Sequence, residues 1–475
     1  MISGVTLLCS NRILSLQRNP NGEIFMTKSM TAGSPAKLIL LFALPLFIGN
    51  LFQQVYNMAD TFIVGRMLGV NALAAVGCTG SLTFLIIGFA QGMSAGFSIL
   101  TAQRFGANDE EGVRQSYAAS LVLGGVISLV LTAISVAGTR QLLVLLQTPS
   151  EILEDATRYL IVIFAGILAT MLFNVVSNVL RALGDSKTPL YFLLVGCVIN
   201  IVLDVLLILY TPLGVAGAGV ATVIAQLLAG AACVVYIHKA FPALRLHRSD
   251  WKLSRREVVR HLQMGLPMGF QTSIIAIGSV MLQYALNSLG STAVAAFTAA
   301  NKLESLGSLP LLSFGLAIGT YVAQNYGAGK LHRIRTGVLQ CSAMTLGWSA
   351  FIGVMFLAFG RQLATLFVGH DEAVTDLAYV YLTIVSVSIW VLALLFIFRY
   401  SLQGLGQSFV PTFAGIMELV MRGACAMWLV APFGFTGACL ANPMAWTGSA
   451  VPLVIAFFIT MRRLTLYLPE HEENA

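Results

Sequence analysis

Two polar residues that stand close together in an otherwise apolar stretch could support ion chemistry. Asn200 and Asp204 are four residues apart, so in a helix they project from one face, one turn apart. A carboxylate and an amide can supply oxygen ligands for a hard cation, or hold a protonatable carboxyl with a hydrogen-bond partner. We therefore predict that this pair binds an ion.

A second acid, Asp60, lies near the end of the first apolar stretch, after Asn57-Met-Ala. A carboxylate in such a stretch is costly unless it faces a cavity, which favours a functional role. The alternative is that Asp60 caps the end of a helix or meets Arg66. We therefore predict a functional role for Asp60.

Further amides and hydroxyls occur in the same half of the chain. Asn174 and Asn178 repeat the spacing of four, and Gln53 and Thr222 could supply more oxygens. One polar residue per span is often only an interhelical hydrogen bond. Two acids with several amides in one half favour a site over that alternative.

The other half of the chain has a different set of charged residues. Its apolar stretches contain Lys302, Glu304 and Arg399, and then Glu418 and Arg422 at a spacing of four. Glu followed by Arg at this spacing is the favourable order for a neutralising pair, so we interpret the pair as structural. The sequence therefore predicts ion chemistry in the N-terminal half only.

Two motifs that resemble enzyme or nucleotide sites fail on inspection. Gly327-Ala-Gly329-Lys330 lacks the first glycine and the final Ser or Thr of a phosphate-binding loop. The six histidines lie in loops, at span ends or in the tail, so no histidine metal site is predicted within the apolar stretches. We expect no enzyme activity and no cofactor, and any pumping must use an ion gradient.

Composition places these residues in a membrane protein. The chain of 475 residues is 57% hydrophobic and 10% charged, with a mean hydropathy of +0.84. A hydrocarbon core of about 30 Å needs roughly 20 apolar residues per helix. The predicted spans are 37–63, 72–99, 116–138, 157–180, 189–210, 215–237, 263–286, 293–320, 337–359, 377–402, 410–431 and 436–460.

The positions of Lys and Arg predict the orientation. If the N-terminus is cytoplasmic, twenty of these residues, Arg181 among them, lie in cytoplasmic segments and four in outer loops. Both termini are therefore predicted to be cytoplasmic. The net charge of +7 then reflects topology and contact with membrane lipids, and a nucleic-acid partner is not expected.

A repeat divides the spans into two halves. Pro45 returns as Pro267 after 222 residues, and Gln103-x-x-Gly-Ala returns at Gln324 after 221. Pro212-x-Gly-x-x-Gly-Ala returns at Pro432 after 220. Homologous membrane halves around a midplane site are typical of secondary transporters with alternating access. The sequence thus predicts an all-α integral membrane protein of twelve transmembrane helices in two pseudo-symmetric six-helix bundles.

The predicted organisation follows from these spans and from the polar stretch between the halves. Residues 1–35 are a cytoplasmic leader, of which 1–25 could be an upstream extension of the gene, because Met26-Thr-Lys resembles a natural start. The remaining segments are an N-terminal lobe 36–240, a cytoplasmic linker 241–260, a C-terminal lobe 261–463 and a cytoplasmic tail 464–475.

In these features the chain resembles a multidrug and toxic compound extrusion (MATE) transporter over about residues 35–463. The resemblance rests on two six-helix halves, on Asp60-Thr-Phe-Ile-Val-Gly and on Gln103-x-x-Gly-Ala. Leu183-Gly-Asp-x-x-x-Pro and Gly214-Val-Ala-Gly-Ala-Gly complete the match. The order and spacing of these motifs carry the resemblance, since each motif alone is weak.

The resemblance implies a V-shaped pair of bundles that exports amphiphilic, often cationic compounds in exchange for Na⁺ or H⁺. By the same resemblance, one ion-coupling site contains Asp60, Asn200, Asp204 and Thr222, with Na⁺ bound at Asp60, Asn200 and Asp204 if the ion is a metal. The residues that line the cavity are then Gln53, Tyr159, Asn174 and Asn178. We expect a functional monomer in a bacterial inner membrane. The alternative function is a flippase for lipid-linked precursors, which belongs to the same wider superfamily. For a flippase we expect additional spans and a cationic cavity, whereas the residues of this chain predict an acidic cavity.

Overall fold

Apolar helices dominate the computed structural model, which describes residues 17–18, 24–25, 29–369 and 371–467. A short antiparallel pairing of β1 (Gln17–Arg18) with β2 (Ile24–Phe25) precedes the helices. The proposed gene extension 1–25 lies outside the described residues apart from these strands, and so does the tail beyond Tyr467.

Fourteen α-helices and one 3₁₀ turn make up the described chain. The first seven are α1 Pro35–Leu68, α2 Val70–Gly106, α3 Glu110–Leu145, α4 Ser150–Ala165, α5 Ile167–Ala182, α6 Lys187–Tyr210 and α7 Val215–Ala240. The 3₁₀ turn Pro242–Leu244 follows, and then α8 Arg255–Asn287, α9 Ser291–Gly327, α10 Leu331–Val368, α11 Glu372–Gly404, α12 Phe409–Trp428, α13 Val430–Cys439 and α14 Ala441–Tyr467. The predicted linker 241–260 falls between α7 and α8.

The helices give the predicted number of membrane spans. Eleven are long and apolar enough to cross a bilayer, and α4 with α5 forms a twelfth span that is bent by 44°. The bend lies at Gly166, where a Cβ atom would overlap the side chain of Val223 on α7. Side chains such as Leu129 and Ile134 are 63% and 66% exposed, as expected for a surface that faces lipid. The chain is therefore a multi-pass membrane protein with a twelve-helix fold, as the sequence predicts.

The repeat seen in the sequence is also present in the backbone. Gly184 and its counterpart Gly406 have φ values of 85° and 83°, and Gly214 and Gly434 both have a φ of 55°. A side chain is strained at such angles, so glycine is required at both members of each pair. The repeated motifs thus encode the same turns in both halves. The turns at Gly184 and Gly406 follow α5 and α11.

The two halves cross where α2 meets α8. A Cβ atom on Gly92 would meet the carbonyl oxygen of Met268 at 2.5 Å, and one on Gly96 would meet the Cα atom of Gly265 at 2.7 Å. Small residues at these positions let the helix backbones approach closely, as is common between membrane helices. The crossing point therefore joins the halves through backbone contacts that larger side chains would prevent.

A second set of contacts joins the halves at the end where α2 and α9 finish, which we call the loop end. Gln103 Nε2 donates a hydrogen bond to the carbonyl oxygen of Gly404 (2.8 Å), and Gln324 Nε2 donates one to that of Ala182 (2.7 Å). The backbone of each lobe also lies against a glycine of the other lobe. A Cβ atom on Gly106 would overlap the backbone of Gln324, and one on Gly327 would overlap the backbone of Gln103. We call this reciprocal contact the clasp.

The chain before α1 adds to the closure of the loop end. The backbone N–H of Met30 donates to Gln324 Oε1 (2.8 Å), and Asn325 Nδ2 donates to the Met30 carbonyl oxygen (3.2 Å). Arg104 on α2 also forms an ion pair with Glu257 on α8. The loop end is thus held shut by hydrogen bonds, an ion pair and close backbone packing.

Candidate functional site

The predicted ion-coupling residues come together on α1, α6 and α7. Asn200 and Asp204 on α6 are buried, and Asp60 on α1 lies close enough to Asp204 to interact with it directly. Asn200 Nδ2 donates a hydrogen bond to Thr222 Oγ1 on α7 (3.2 Å). The spacing of four on α6 points both of its side chains at α1 and α7, which explains why the sequence pattern led to this group.

Several oxygens of this group have no hydrogen-bond partner. They are Oδ1 of Asp60, Oδ1 of Asn200 and both carboxylate oxygens of Asp204. Buried polar atoms are nearly always paired, and unpaired acceptors in a membrane protein are costly. No arginine or lysine forms an ion pair with either acid in the part of the chain that the structure describes. The group is therefore suited to bind a proton or a small cation.

Two tyrosines flank the acids. Tyr159 on α4 is buried beside Asp60 and Asp204, and Tyr56 on α1 lies one turn before Asp60. The Tyr56 hydroxyl lies 3.3 Å from Thr222 Oγ1, so Tyr56, Thr222 and Asn200 form a chain of hydrogen bonds. Sequence reasoning missed Tyr56, although its spacing of four from Asp60 was the signal that could have found it.

A cavity of about 430 Å³ lies between the lobes, next to this group. Of the four residues predicted to line a cavity, Gln53, Asn174 and Asn178 lie in its wall together with Thr222, whereas Tyr159 does not. Tyr56 and Thr222 separate the cavity from Asp60, Asn200, Asp204 and Tyr159, none of which is among the described residues that line it. The assignments of these residues to ion coupling and substrate binding stay predictions.

Two arginines in the cavity wall were not expected there. Arg181 on α5 and Arg399 on α11 both line the cavity, whereas the sequence placed them near the cytoplasmic ends of their spans. Arg181 lies three residues after Asn178 and seven after Asn174, so all three share one helix face. That spacing was the signal in the sequence that could have placed Arg181 in the cavity wall with Asn174 and Asn178.

The C-terminal half contains a buried network of opposite charges. Glu418 accepts hydrogen bonds from Arg399 (2.8 Å) and from Arg422 (3.2 Å), so the predicted pair is part of a triad. Glu304 is buried nearby and accepts a hydrogen bond from the Tyr381 hydroxyl. Two arginines and two acids balance one another here, in contrast to the N-terminal group with its two uncompensated acids.

We expect Glu418→Gln to destabilise the protein strongly. Removal of the central acid leaves two buried guanidinium groups without their ion-pair partner, which typically costs about 3–5 kcal/mol. Asp376→Asn is the control, because it breaks an ion pair with Arg361 (2.9 Å) in which the side chains are 62% and 58% exposed. Such a pair contributes less than about 1 kcal/mol. Thermal unfolding in detergent should show a much earlier transition for Glu418→Gln, and equal transitions would show that the triad is not stabilising.

Comparison with known proteins gives the same fold and family for most of the chain. The MatE family model matches residues 45–206 and again residues 267–428. The two matches begin 222 residues apart, which equals the offset between Pro45 and Pro267 in the repeat. The family model thus recognises each half separately.

Curated relatives and solved structures agree with this match. The chain is 32% identical to the probable multidrug resistance protein YpnP of Bacillus subtilis, over 72% of this chain and 77% of that protein. It is 24% identical to the probable multidrug resistance protein NorM of Thermotoga maritima, over 92% and 94% of the two chains. A solved multidrug resistance MATE family transporter of the MOP superfamily, in an outward-facing conformation, superposes with a TM-score of 0.82 at 23% identity, over 92% of this chain and 98% of that one. None of these proteins is described as a lipid flippase.

Proposed function

Because this chain belongs to the multidrug and toxic compound extrusion (MATE) family of efflux transporters, we propose that it is a secondary active antiporter. It would export amphiphilic compounds in exchange for H⁺ or Na⁺, with the two lobes alternating between openings on the two sides of the membrane. The observation that carries the proposal is the group of unpaired oxygens on Asp60, Asn200 and Asp204, beside a cavity between the lobes.

Ion binding in this group would act on the cavity through a short chain of contacts. Two neighbouring carboxylates repel each other, and a proton or Na⁺ removes that repulsion. Helices α1 and α6, which carry the two acids, could then move closer together. Because Tyr56 and Thr222 contact both the ion group and the cavity, their positions would change as well. Ion entry would thereby disfavour the substrate-bound arrangement and release the substrate.

The same residues could serve either ion. A proton needs only one carboxylate oxygen, and Asp204 offers two unpaired ones. Na⁺ would take oxygens from Asp60, Asn200 and Asp204, with the Thr222 hydroxyl as a further ligand. One charge that moves inward across about 100 mV contributes about 2.3 kcal/mol, which corresponds to roughly a fiftyfold concentration ratio of substrate. That is enough for useful efflux.

The placement of the transporter is part of the proposal. A bacterial inner membrane with both termini cytoplasmic accounts for the excess of Lys and Arg in the segments assigned to the inside. In that orientation the loop end, which the clasp closes, faces the cytoplasm. The cavity would then open outward, and substrate release to the outside would follow ion entry from the same side.

Transport in proteoliposomes tests the proposal directly. Purified full-length protein is reconstituted, a pH gradient and a Na⁺ gradient are imposed separately, and movement of fluorescein and of rhodamine 6G is followed. We expect one of the gradients to drive at least one dye. Transport driven by the pH gradient would make Asp60 and Asp204 a titrating pair, whereas dependence on Na⁺ would make them cation ligands with Asn200 and Thr222. If neither gradient moves either dye, the antiporter proposal is wrong.

A further inference from the structure

The charge on the cavity wall is positive, so the acidic cavity predicted from the sequence is wrong, because neither Asp60 nor Asp204 is among the described residues that line the wall. Arg181 and Arg399 line the cavity, and no lysine, aspartate or glutamate does so in the part of the chain that the structure describes. Asp60 and Asp204 lie behind Tyr56 and Thr222, outside the wall. A ligand in this cavity would therefore meet guanidinium groups before it could meet a carboxylate.

The two arginines differ in how far their charge is balanced. Arg399 is paired with Glu418 and also donates to Ser449 Oγ (3.1 Å). Arg181 takes part in no ion pair of the described chain, and its polar contact is a hydrogen bond from Nη1 to Asn178 Oδ1 (3.3 Å). Its Nε atom is buried without any acceptor. Arg181 therefore brings an uncompensated positive charge to the cavity.

An unpaired guanidinium inside a membrane protein favours an anionic partner. Removing a cation from water is costly unless an opposite charge and hydrogen-bond acceptors replace the lost hydration. The planar fork of arginine matches the oxygens of a carboxylate, sulfonate or phosphate, to which it donates two hydrogen bonds at once.

The rest of the wall suits the apolar and neutral polar parts of such a ligand. Phe84, Phe173 and Phe396 line the cavity together with several amide side chains. A volume of about 430 Å³ lies in the range of pockets that hold drug-sized molecules. The cavity is thus apolar on most of its surface, with an unpaired cation at one place.

We propose that the cavity binds amphiphiles that carry an anionic group, with Arg181 as the counterion. This inference rests on the proposed efflux function, because it names the substrate class of the same cavity. It differs from the often cationic substrates that the resemblance to the family implied. The anionic group could belong to a soluble carboxylate or sulfonate, or to the phosphate of a lipid.

Binding of two dyes with one ring system and opposite charge tests the proposal. Fluorescein is an anion at pH 7.5 and rhodamine 6G is a cation, and both contain a xanthene ring. Fluorescence anisotropy with the full-length protein in phosphatidylcholine nanodiscs gives both dissociation constants. We expect fluorescein to bind at least about tenfold more tightly than rhodamine 6G, since charge-assisted hydrogen bonds typically contribute a factor of ten or more. Tighter binding of rhodamine 6G would overturn the proposal.

Variants of Arg181 assign the effect to that side chain. Arg181→Gln should weaken fluorescein binding at least about tenfold and leave rhodamine 6G within about twofold, whereas Arg181→Lys should restore part of the loss. Arg158→Gln is the matched control, because Arg158 is 65% exposed and pairs with Glu154 (3.1 Å) away from the cavity. Unchanged fluorescein binding by Arg181→Gln would refute the assignment. If Arg181→Gln does not fold, fluorescein is displaced from the wild-type protein by two competitors of opposite charge. Displacement by dodecyl phosphate but not by dodecyltrimethylammonium supports the proposal. Displacement by dodecyltrimethylammonium but not by dodecyl phosphate refutes it.

Two further arms separate the sources of the anion and the two proposals. Phosphatidylglycerol in place of phosphatidylcholine repels fluorescein from the membrane surface in every variant, so the ratio of the dissociation constants of Arg181→Gln and the wild type is compared in the two lipids. The ratio should fall towards one in phosphatidylglycerol if lipid phosphate occupies the site, and should be the same in both lipids if the ligand is a soluble anion. Both outcomes retain an anion site at Arg181. Fluorescein binding that depends on Arg181 without gradient-driven transport of either dye would count against the antiporter alone. Gradient-driven transport of rhodamine 6G with no fluorescein binding would count against the anion site alone.

Discussion

Asp204→Asn should abolish gradient-driven efflux and leave a folded protein. Asp204 is fully buried, and both of its carboxylate oxygens lack hydrogen-bond partners. An amide keeps the shape of the side chain but carries no charge, so it cannot take up a proton and is a weaker ligand for Na⁺. We expect efflux from proteoliposomes to fall to the level of empty liposomes. Thermal stability should not fall, because the substitution removes a buried, unpaired charge.

The same result is expected for Asp60→Asn, since both acids belong to the proposed ion group. Asp376→Asn is the matched control, because Asp376 is an acid in an exposed ion pair far from the cavity, and its efflux should equal that of the wild type. Efflux at the wild-type rate from both Asp60→Asn and Asp204→Asn would show that the coupling ion binds elsewhere. Loss of efflux in only one of the two variants would show that only the acid replaced in that variant is needed for coupling.

Closure of the loop end should fail when either glycine of the clasp is enlarged. In Gly106→Val and in Gly327→Val the new side chain would overlap the backbone of the opposite lobe, which cannot be relieved by a change of rotamer. The lobes must then separate at this end, and the conformation with the loop end closed becomes inaccessible. Because alternating access needs both conformations, we expect efflux to fall to background in each variant.

Distances between spin labels check this expectation. Labels at Glu110 and His332, which are exposed at the loop ends of the two lobes, report on the closure in a background without other cysteines. Gly106→Val should lengthen the main distance or broaden its distribution. Gly80→Val is the control, because Gly80 lies on the same helix with no atom near the position of its Cβ. An unchanged distance in Gly106→Val would show that the clasp does not govern closure.

The positions of the helices followed from the sequence because the requirement for apolar length acts locally. Nine of the twelve predicted spans fall within single helices of the structure, whereas 157–180, 410–431 and 436–460 each run across a break between two helices. The break at Gly166 was not predicted, and the close approach of Val223 to Gly166 involves another helix, which a pattern within one span does not show. The predicted fourth span, 157–180, therefore passes through a bend of 44° that hydropathy does not reveal.

The site was predictable to the extent that its residues share a helix face. The spacing of Asn200 and Asp204 indicated one half of the ion group, and the resemblance to the family joined Asp60 to it. Arg181 was counted with the cytoplasmic cations because its position near the end of a span suggested a surface residue. Whether such a residue points outward or into a cavity depends on packing between α5 and its neighbours, and no pattern within one helix contains that information.

The clasp joins residues that are each other's counterparts in the repeat. Gly106 packs on Gln324 and Gly327 packs on Gln103, so residue i of one lobe meets residue j of the other, and j meets i. Contacts of this form are isologous, as between two identical subunits around a two-fold axis. Six spans in each lobe give both lobes the same orientation, so this axis runs along the membrane normal. Each lobe therefore carries a self-complementary surface. Two identical subunits with this surface would each carry the acids, whereas two lobes joined in one chain keep the surface and need the acids in only one lobe.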